Sequence, residues 1–142
     1  MPAHACIFCE IIAGRAPAHF VLEEPACVAF LDARPIFPGH VLVVPRAHHE
    51  TLVDLPPDDV AILFGAARRI CAAVERALGA EGTFVAMNNR ISQSVPHAHV
   101  HVVPRRKGDG LRGFFWPRQK YASDAAAAEI AGRVREAVEH AA

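Results

Sequence analysis

The amino-acid sequence predicts an α+β fold, in which an antiparallel sheet of about five short strands carries one long helix and a C-terminal helix. Short apolar runs bounded by proline, glycine or charged residues are typical of strands joined by turns. A long stretch with helical apolar spacing follows Pro56 and Pro57, between the third and fourth of these runs. The chain has no internal repeat and no long linker, so a single domain is expected over residues 1–142.

The predicted elements follow in chain order. Apolar residues after the first cysteines predict a short helix that ends near Gly14. The strands are predicted at Phe20–Glu23, Cys27–Leu31, 40–44, 83–87 and 95–103. The long helix is expected from about Asp58 to just before Gly79, because glycine commonly follows a helix end. The alanine-rich tail predicts a terminal helix that begins at Ser123 or Asp124, where either side chain could cap it.

Charge and composition exclude several classes of protein. Lysine plus arginine and aspartate plus glutamate both number 15, so there is no net basic field to hold a nucleic-acid backbone. An apolar fraction of 52% argues against disorder. No apolar run is long enough for a membrane span, and the first residues do not resemble a signal peptide. A cytoplasmic protein with no nucleic-acid or membrane partner is therefore expected.

The four cysteines fall into two groups. Cys27 and Cys71 lie in apolar segments and are interpreted as small buried residues. Cys6 and Cys9 form a C-x-x-C pair, which can bind a metal, act in redox chemistry or contribute packing. A thioredoxin-like redox site would follow a strand, and no strand is predicted before this pair. Metal binding and packing both remain open when the pair is considered alone.

The densest chemical signal is the run S-V-P-H-A-H-V-H-V-V-P at residues 94–104. Side chains alternate between faces along a strand, so His97, His99 and His101 are expected to share one face while the residues between them enter the core. Three imidazoles on one face suit two chemistries. They could all bind a catalytic zinc ion. Alternatively, the central ring could attack phosphorus while its neighbours and nearby backbone carbonyls fix its tautomer.

This run resembles the histidine-triad (HIT) superfamily, and the resemblance extends over most of the chain. C-I-F-C-E-I-I at 6–12 resembles the opening of the bacterial members and of the nucleotide-binding Hint branch. A-F-L-D at 29–32 and P-G-H-V-L-V-V-P at 38–45 resemble the family segments that follow. The resemblance implies a hydrolase or nucleotidyl transferase that cleaves AMP conjugates at the α-phosphate, with AMP held transiently on His99.

The resemblance also implies roles for the residues around this nucleophile. His97, His101 and His40 would hold the ring and its charge. Ser94 would donate a hydrogen bond to the leaving group. A homodimer is implied by analogy, since family members of this size usually pair through the long helix and a central strand.

The substrate contacts implied by the family involve a carboxylate and two amides. Asp32 would accept hydrogen bonds from both ribose hydroxyls of a purine nucleotide. Gln93 would lie beside the phosphate, and Asn88, or Asn89 as the alternative, would contact the α-phosphate region. The chain departs from the family here, because Ser92 stands where many relatives carry glycine and the loop is shorter. This departure concerns the leaving group and not the nucleophile.

In the bacterial members the C-x-x-C pair binds zinc together with two histidines. The matching residues here are Cys6, Cys9, His48 and His97. Two thiolates and two imidazoles complete a tetrahedron and leave no open position for water, so the implied zinc is structural. It would hold an N-terminal knuckle at about residues 4–14 against the catalytic strand.

Four functions remain open at this point, one of which is a metallohydrolase that uses the three histidines as ligands of a catalytic zinc ion. Asn88 resembles the Hint branch, whose activity on nucleoside phosphoramidates or related adenylyl conjugates is the main expectation. The stretch P-R-R-K-G at 104–108 resembles Fhit-like hydrolases of dinucleoside polyphosphates (Ap3A and Ap4A), and a regulatory nucleotide-binding module is the fourth possibility. A C-terminal extension at about 105–142 carries aromatic residues at 114–116, within a segment, 112–121, that matches the family least. Trp116 is expected either to anchor the terminal helix or to line the catalytic pocket.

Overall fold

The structure, a computed structural model, describes residues 6–112 and 118–140. The chain forms two compact units, Met1–Asp109 and Gly110–Ala142. The single domain expected over residues 1–142 therefore stays a prediction. The aromatic segment with Trp116, and the first two residues of the expected knuckle, lie outside the described residues.

The first unit is built on an antiparallel sheet, as predicted. Its described residues form five strands in the order β1-β2-β3-β5-β4. The strands are β1 (Phe20–Glu23), β2 (Cys27–Leu31), β3 (Val41–Pro45), β4 (Gly82–Ala86) and β5 (Val100–Arg105). Four of them lie within two residues of their predicted bounds, whereas β5 begins five residues later than the predicted 95–103.

The late start of β5 has a local cause. Pro96 has no N–H to donate to a neighbouring strand. The N–H groups that follow are also taken elsewhere, since His97 donates to the carbonyl of Val95 at 2.8 Å and Ala98 to the carbonyl of His49 at 2.7 Å. The prediction that the three imidazoles lie along one strand is therefore wrong for His97, which sits on a bend, and for His99, which directly precedes β5; of the three, only His101 lies in the strand.

Two helices cover opposite faces of the sheet. The long helix α2 (Pro57–Leu78) begins with Pro57 at its first turn and ends at Gly79, whose φ of 64° is the left-handed conformation that glycine adopts easily. The short helix α1 (Ile7–Ile12) begins at Cys6, whose sulfur accepts a hydrogen bond from the N–H of Cys9. Both helices agree with the prediction.

Side-chain alternation in the strands separates two cores. The core under α2 contains Ala29, Val41, Val43, Leu63, Ala98, Val100 and Val102, among others. The core under α1 contains Phe8, Ile11, Val28, Phe30, Leu42 and Val44, among others. The residues between the histidines thus enter the α2 core as predicted, and the histidines are directed to the α1 side.

The second unit contains α3 (Asp124–Glu139), which begins where the sequence predicts it. The hydroxyl of Ser123 accepts a hydrogen bond from the N–H of Ala126 at 3.0 Å and caps the helix. Among the described residues, no helix is long and apolar enough to cross a membrane.

Candidate functional site

A cavity of about 710 Å³ opens on the α1 side of the sheet. Its volume lies within the range of small-ligand sites. One part of its wall is apolar and includes Ile7, Phe8, Ile11, Phe30, Leu31 and Leu42. The other part carries the polar side chains of Asp32, Ser94, His99 and His101. An apolar region beside a cluster of polar groups suits a ligand with a flat base and a charged, hydroxylated remainder.

His99 has a defined tautomer. Its Nδ1 lies 2.7 Å from the carbonyl oxygen of His97, and a carbonyl can only accept, so Nδ1 carries the proton. The ring is 5% exposed, and burial lowers its pKa while Asp32 acts in the opposite direction. The imidazole is therefore neutral at pH 7, and its Nε2 keeps the lone pair that a nucleophile needs.

His40 and His101 form a second pair with a fixed proton arrangement. The N–H of Ile36 donates to Nδ1 of His40 at 3.0 Å, so His40 carries its own proton on Nε2. This Nε2 lies 2.9 Å from Nδ1 of His101 and donates to it. Burial lowers the pKa of both rings, that of His101 to about 4. His101 is thus a neutral ring that carries its proton on Nε2.

The carboxylate of Asp32 is held beside this pair. Its Oδ1 accepts a hydrogen bond from the N–H of Arg34 at 2.8 Å, which fixes the side chain at the end of β2. Its Oδ2 lies 3.6 Å from Nε2 of His40, too far for a good hydrogen bond. Asp32 therefore reaches the cavity with acceptor capacity for donors on a ligand.

The amide side chains of the loop before the histidines already have hydrogen-bond partners, in the loop itself and in the segment at residues 50–52. Oε1 of Gln93 accepts from the N–H of Arg90 at 2.8 Å, and Nε2 of Gln93 donates to the carbonyl of Glu50 at 2.6 Å. Asn88 donates to the carbonyl of Ser92 at 3.2 Å, and Asn89 accepts from the N–H of Leu52 at 2.8 Å. Ser94 lines the cavity, but these three amide side chains do not. Their contacts with a phosphate stay predictions.

A separate cluster joins Cys6, Cys9, His48 and His97, whose possible ligand atoms all lie within 4.8 Å of one another. Nδ1 of His97 lies 3.4 Å from Sγ of Cys6, 3.6 Å from Sγ of Cys9 and 3.2 Å from Nδ1 of His48. Sγ of Cys9 lies 3.3 Å from Nδ1 of His48. The residues come from three separate parts of the chain, so the fold assembles the set.

These separations fit a tetrahedral zinc ion. Typical Zn–N and Zn–S bonds place two nitrogen ligands about 3.3 Å apart, and a sulfur and a nitrogen about 3.6 Å apart. The tautomer of His97 fits as well, because its Nε2 donates to the carbonyl of Pro45 at 2.8 Å and leaves the Nδ1 lone pair facing the cluster. Burial and the neighbouring Cys6 raise the pKa of Cys9 to about 11, so zinc binding would displace a thiol proton.

A catalytic zinc held by three histidines does not fit the described residues. His97 belongs to the cysteine cluster, and His99 lies in neither group of possible ligand atoms that the described residues bring together. A second group of possible ligands, Asp32, His40 and His101, also fits poorly. Metal binding at Nε2 of His40 would force its proton onto Nδ1, against the N–H of Ile36.

Sequence analysis gave no role to Phe8, although its ring touches the nucleophile candidate. The ring centroids of Phe8 and His99 are 5.0 Å apart, and those of Phe8 and His97 are 5.8 Å apart. The position of Phe8 between two cysteines was visible, but the contact depends on where α1 crosses the sheet.

Comparison with known proteins identifies one family. A family model of the HIT domain matches residues 13–108. A HIT-like protein of Mycobacterium tuberculosis is 42% identical over 108 residues, which make up 75% of this chain and 75% of that protein. The adenylylsulfatase HINT3 of Arabidopsis thaliana is 34% identical over 108 residues, or 75% of this chain and 55% of that protein.

A solved structure shares the fold. The zinc-bound histidine triad family protein from Mycobacterium smegmatis matches with a TM-score of 0.74 and 37% identity, over 92% of this chain and 99% of that one. The zinc in a relative of this similarity is consistent with the two thiols and two imidazoles of the cysteine cluster.

Proposed function

Because this chain belongs to the HIT domain family of nucleotide hydrolases and transferases, we propose that it cleaves AMP conjugates at the α-phosphate through a covalent intermediate on His99. The observation that carries the proposal is the hydrogen bond from Nδ1 of His99 to the carbonyl of His97 at 2.7 Å. It leaves a neutral Nε2 in a cavity that also contains a carboxylate and a serine hydroxyl.

The proposed reaction has two displacements at phosphorus. In the first, Nε2 of His99 forms a P–N bond, the bond from phosphorus to the leaving group breaks, and Ser94 donates a hydrogen bond to the departing atom. In the second, water attacks phosphorus, the P–N bond to His99 breaks and AMP leaves, and the proton that water loses replaces the one that a departing amine takes up in the first step. The ring is cationic while it carries AMP, and the carbonyl of His97 and the charge of Asp32 both favour that cation.

The nucleotide is oriented by the two parts of the cavity wall. The ribose hydroxyls would donate to Asp32, whose position is fixed by Arg34. The base would lie on the apolar wall formed by α1 and the neighbouring strands. The proton on Nε2 of His101 is available to a phosphate oxygen, since its Nδ1 accepts from His40. This arrangement supports a purine nucleotide as the bound half of the substrate.

The leaving group is proposed to be an amine or a related group, as in nucleoside phosphoramidates. Adenylylsulfate is one member of this wider class of adenylyl conjugates. Dinucleoside polyphosphates and a purely regulatory role are the alternative outcomes of the experiment below.

We also propose that the protein binds a structural zinc ion and forms a homodimer. The ion would be structural, since four protein ligands leave it no site for substrate. A homodimer is supported by β4, which lies at an edge of the sheet, and by the exposed apolar side chains of Val85 on β4 and Phe64 on α2. Two zinc-binding thiols suit a reducing compartment such as the cytoplasm.

Trapping the intermediate tests the function. The protein is mixed with AMP conjugates that carry an amine, sulfate, or a second nucleotide, and is quenched in base, in which phosphoramidates survive. We expect AMP on His99, a preference in kcat/KM for amine conjugates, and a loss of roughly 10³-fold or more in His99→Asn. His140→Asn, at the end of α3, is the matched control. AMP on another residue, or turnover in His99→Asn, would contradict the proposal.

A further inference from the structure

The ring of Phe8 lies between the cysteine cluster and the nucleophile. It sits on α1 between Cys6 and Cys9, which fixes its backbone next to two of the four cluster residues. Phe8 is 5% exposed and belongs to the core under α1. It contacts two members of the histidine triad edge-on, with interplanar angles of 71° to His97 and 86° to His99.

The ring of Phe8 also packs against an aromatic residue of the sheet, Phe30, which in turn packs against Phe20. The centroids of Phe8 and Phe30 are 5.5 Å apart, and those of Phe30 and Phe20 are 5.9 Å apart, again edge to face. Aromatic pairs in this edge-to-face geometry attract each other beyond the effect of the area that they bury. Phe8 thus contacts Phe30 as well as His99 and is held in place by the core under α1.

We propose that Phe8 is a positioning residue, which holds the imidazole of His99 in the rotamer that directs Nε2 at the α-phosphate and thereby links the cysteine cluster to the nucleophile. The hydrogen bond to the carbonyl of His97 fixes which nitrogen carries the proton, but a single bond leaves the ring free to tilt about it. The rings of Phe8 and His101, whose centroids lie 5.0 Å and 4.9 Å from that of His99, restrict that tilt together. The inference rests on the proposed function.

Two other roles for Phe8 predict different behaviour. Phe8 also lines the cavity, so it could simply contact the base. In that case its loss would raise KM and the Kd of AMP, and the rate at saturation would not change. A residue needed only for packing would lower stability, with no specific effect on the chemical step. A positioning residue must instead lower the rate constant for forming the intermediate at saturating substrate.

The test compares Phe8→Leu with Ile11→Ala. Ile11 lies on the same helix, lines the same cavity and belongs to the same core, so it controls for binding and packing. We expect Phe8→Leu to slow single-turnover adenylylation about tenfold, and Phe8→Ala about 10²-fold, because small misplacements of a nucleophile have effects of this size. The zinc content should stay within about twofold of wild type. The Kd of AMP should rise no more in the Phe8 variants than in Ile11→Ala, which removes apolar contact from the same wall without the slower adenylylation.

A spectroscopic measurement separates positioning from a loss of stability. In wild type, imidazole ¹H–¹⁵N correlations should show His99 as one Nδ1–H tautomer, with contacts between its ring protons and those of Phe8. Phe8→Leu should broaden or split the His99 signals, and Ile11→Ala should not. The wild-type spectrum also decides the case if neither Phe8 variant folds, since absent ring contacts or mixed tautomers would overturn the proposal.

Failure of this inference is distinguishable from failure of the proposed function. If wild type forms no base-stable AMP adduct on His99, the proposed function is wrong. If the adduct forms, but forms equally fast in Phe8→Leu and wild type, only the positioning role is wrong. A rise in KM with an unchanged single-turnover rate would assign Phe8 to base binding.

Discussion

Zinc affinity should rise with pH if Cys6, Cys9, His48 and His97 bind the ion. Only a thiolate binds zinc, and the pKa of Cys9, raised to about 11 by burial and by Cys6, keeps this thiol protonated at neutral pH. Each pH unit below 11 therefore reduces its thiolate fraction tenfold. The pKa of His97, lowered to about 4 by burial, means that this ring releases no proton above pH 6. We expect the Kd to fall at least tenfold per unit between pH 7 and 9.

The assay is competition for zinc between the protein and a chelator whose own proton binding is known. Zinc retained by the protein is measured at several values of pH, and the starting content should be about one ion per chain. Cys9→Ser should lose most of the zinc, and Cys71→Ser, which removes a cysteine outside the cluster, should behave as wild type. A Kd that does not change between pH 7 and 9 would refute the argument. Immediate loss of turnover when zinc is removed from a protein that stays folded would show that the metal is catalytic.

Three further outcomes follow from single contacts. Asp32→Asn should raise KM about 10- to 100-fold for ribonucleotide conjugates and less for 2′-deoxy ones, as measured in steady-state kinetics, because it weakens charge-assisted hydrogen bonds. The free energy of unfolding should fall as the pH drops below about 6.5 towards 4. The reason is that His40 and His101 have lowered pKa values in the folded protein, so the unfolded chain binds more protons in that window. Urea titrations at constant salt measure this free energy, and a value that does not change with pH would refute the argument. Ser92→Gly should stabilise the protein by roughly 0.5–1 kcal/mol in the same titrations, since Ser92 has a φ of 60°; a loss of stability would contradict the argument from strain.

Much of the fold could be predicted because its signals are local. Alternation and helical spacing depend on neighbours within a few residues, so β1 and β2 were predicted with their observed bounds. The start of β5 was not, because strand assignment depends on where the N–H groups of His97 and Ala98 donate, and Ala98 donates to His49, far away in the sequence. Alternation predicts one uniform row of imidazoles. The same long-range hydrogen bonds instead leave His97 in the cysteine cluster, while His99 and His101 line the cavity.

The residues of the candidate site also divide into those that the sequence indicates and those that only the structure brings together. The C-x-x-C pair was visible as a possible metal site, but His48 and His97 could be added only through the resemblance to a family. The amides of Asn88 and Gln93 have partners in their own loop and in the neighbouring segment, which no spacing rule indicates. Phe8 was visible as an apolar helix residue and not as a neighbour of His99.

The sequence by itself determined which side chains can carry the chemistry, because residue type and alternation set the imidazoles apart from the apolar residues between them. Only the tertiary structure decided what each imidazole can do. The carbonyls of Pro45 and His97 and the N–H of Ile36 fix which nitrogen carries the proton on His97, His99 and His40 respectively. Every residue except proline has the same backbone N–H and C=O, so nothing in the order of side chains tells which of them will meet a given ring; that depends on how the strands and loops pack.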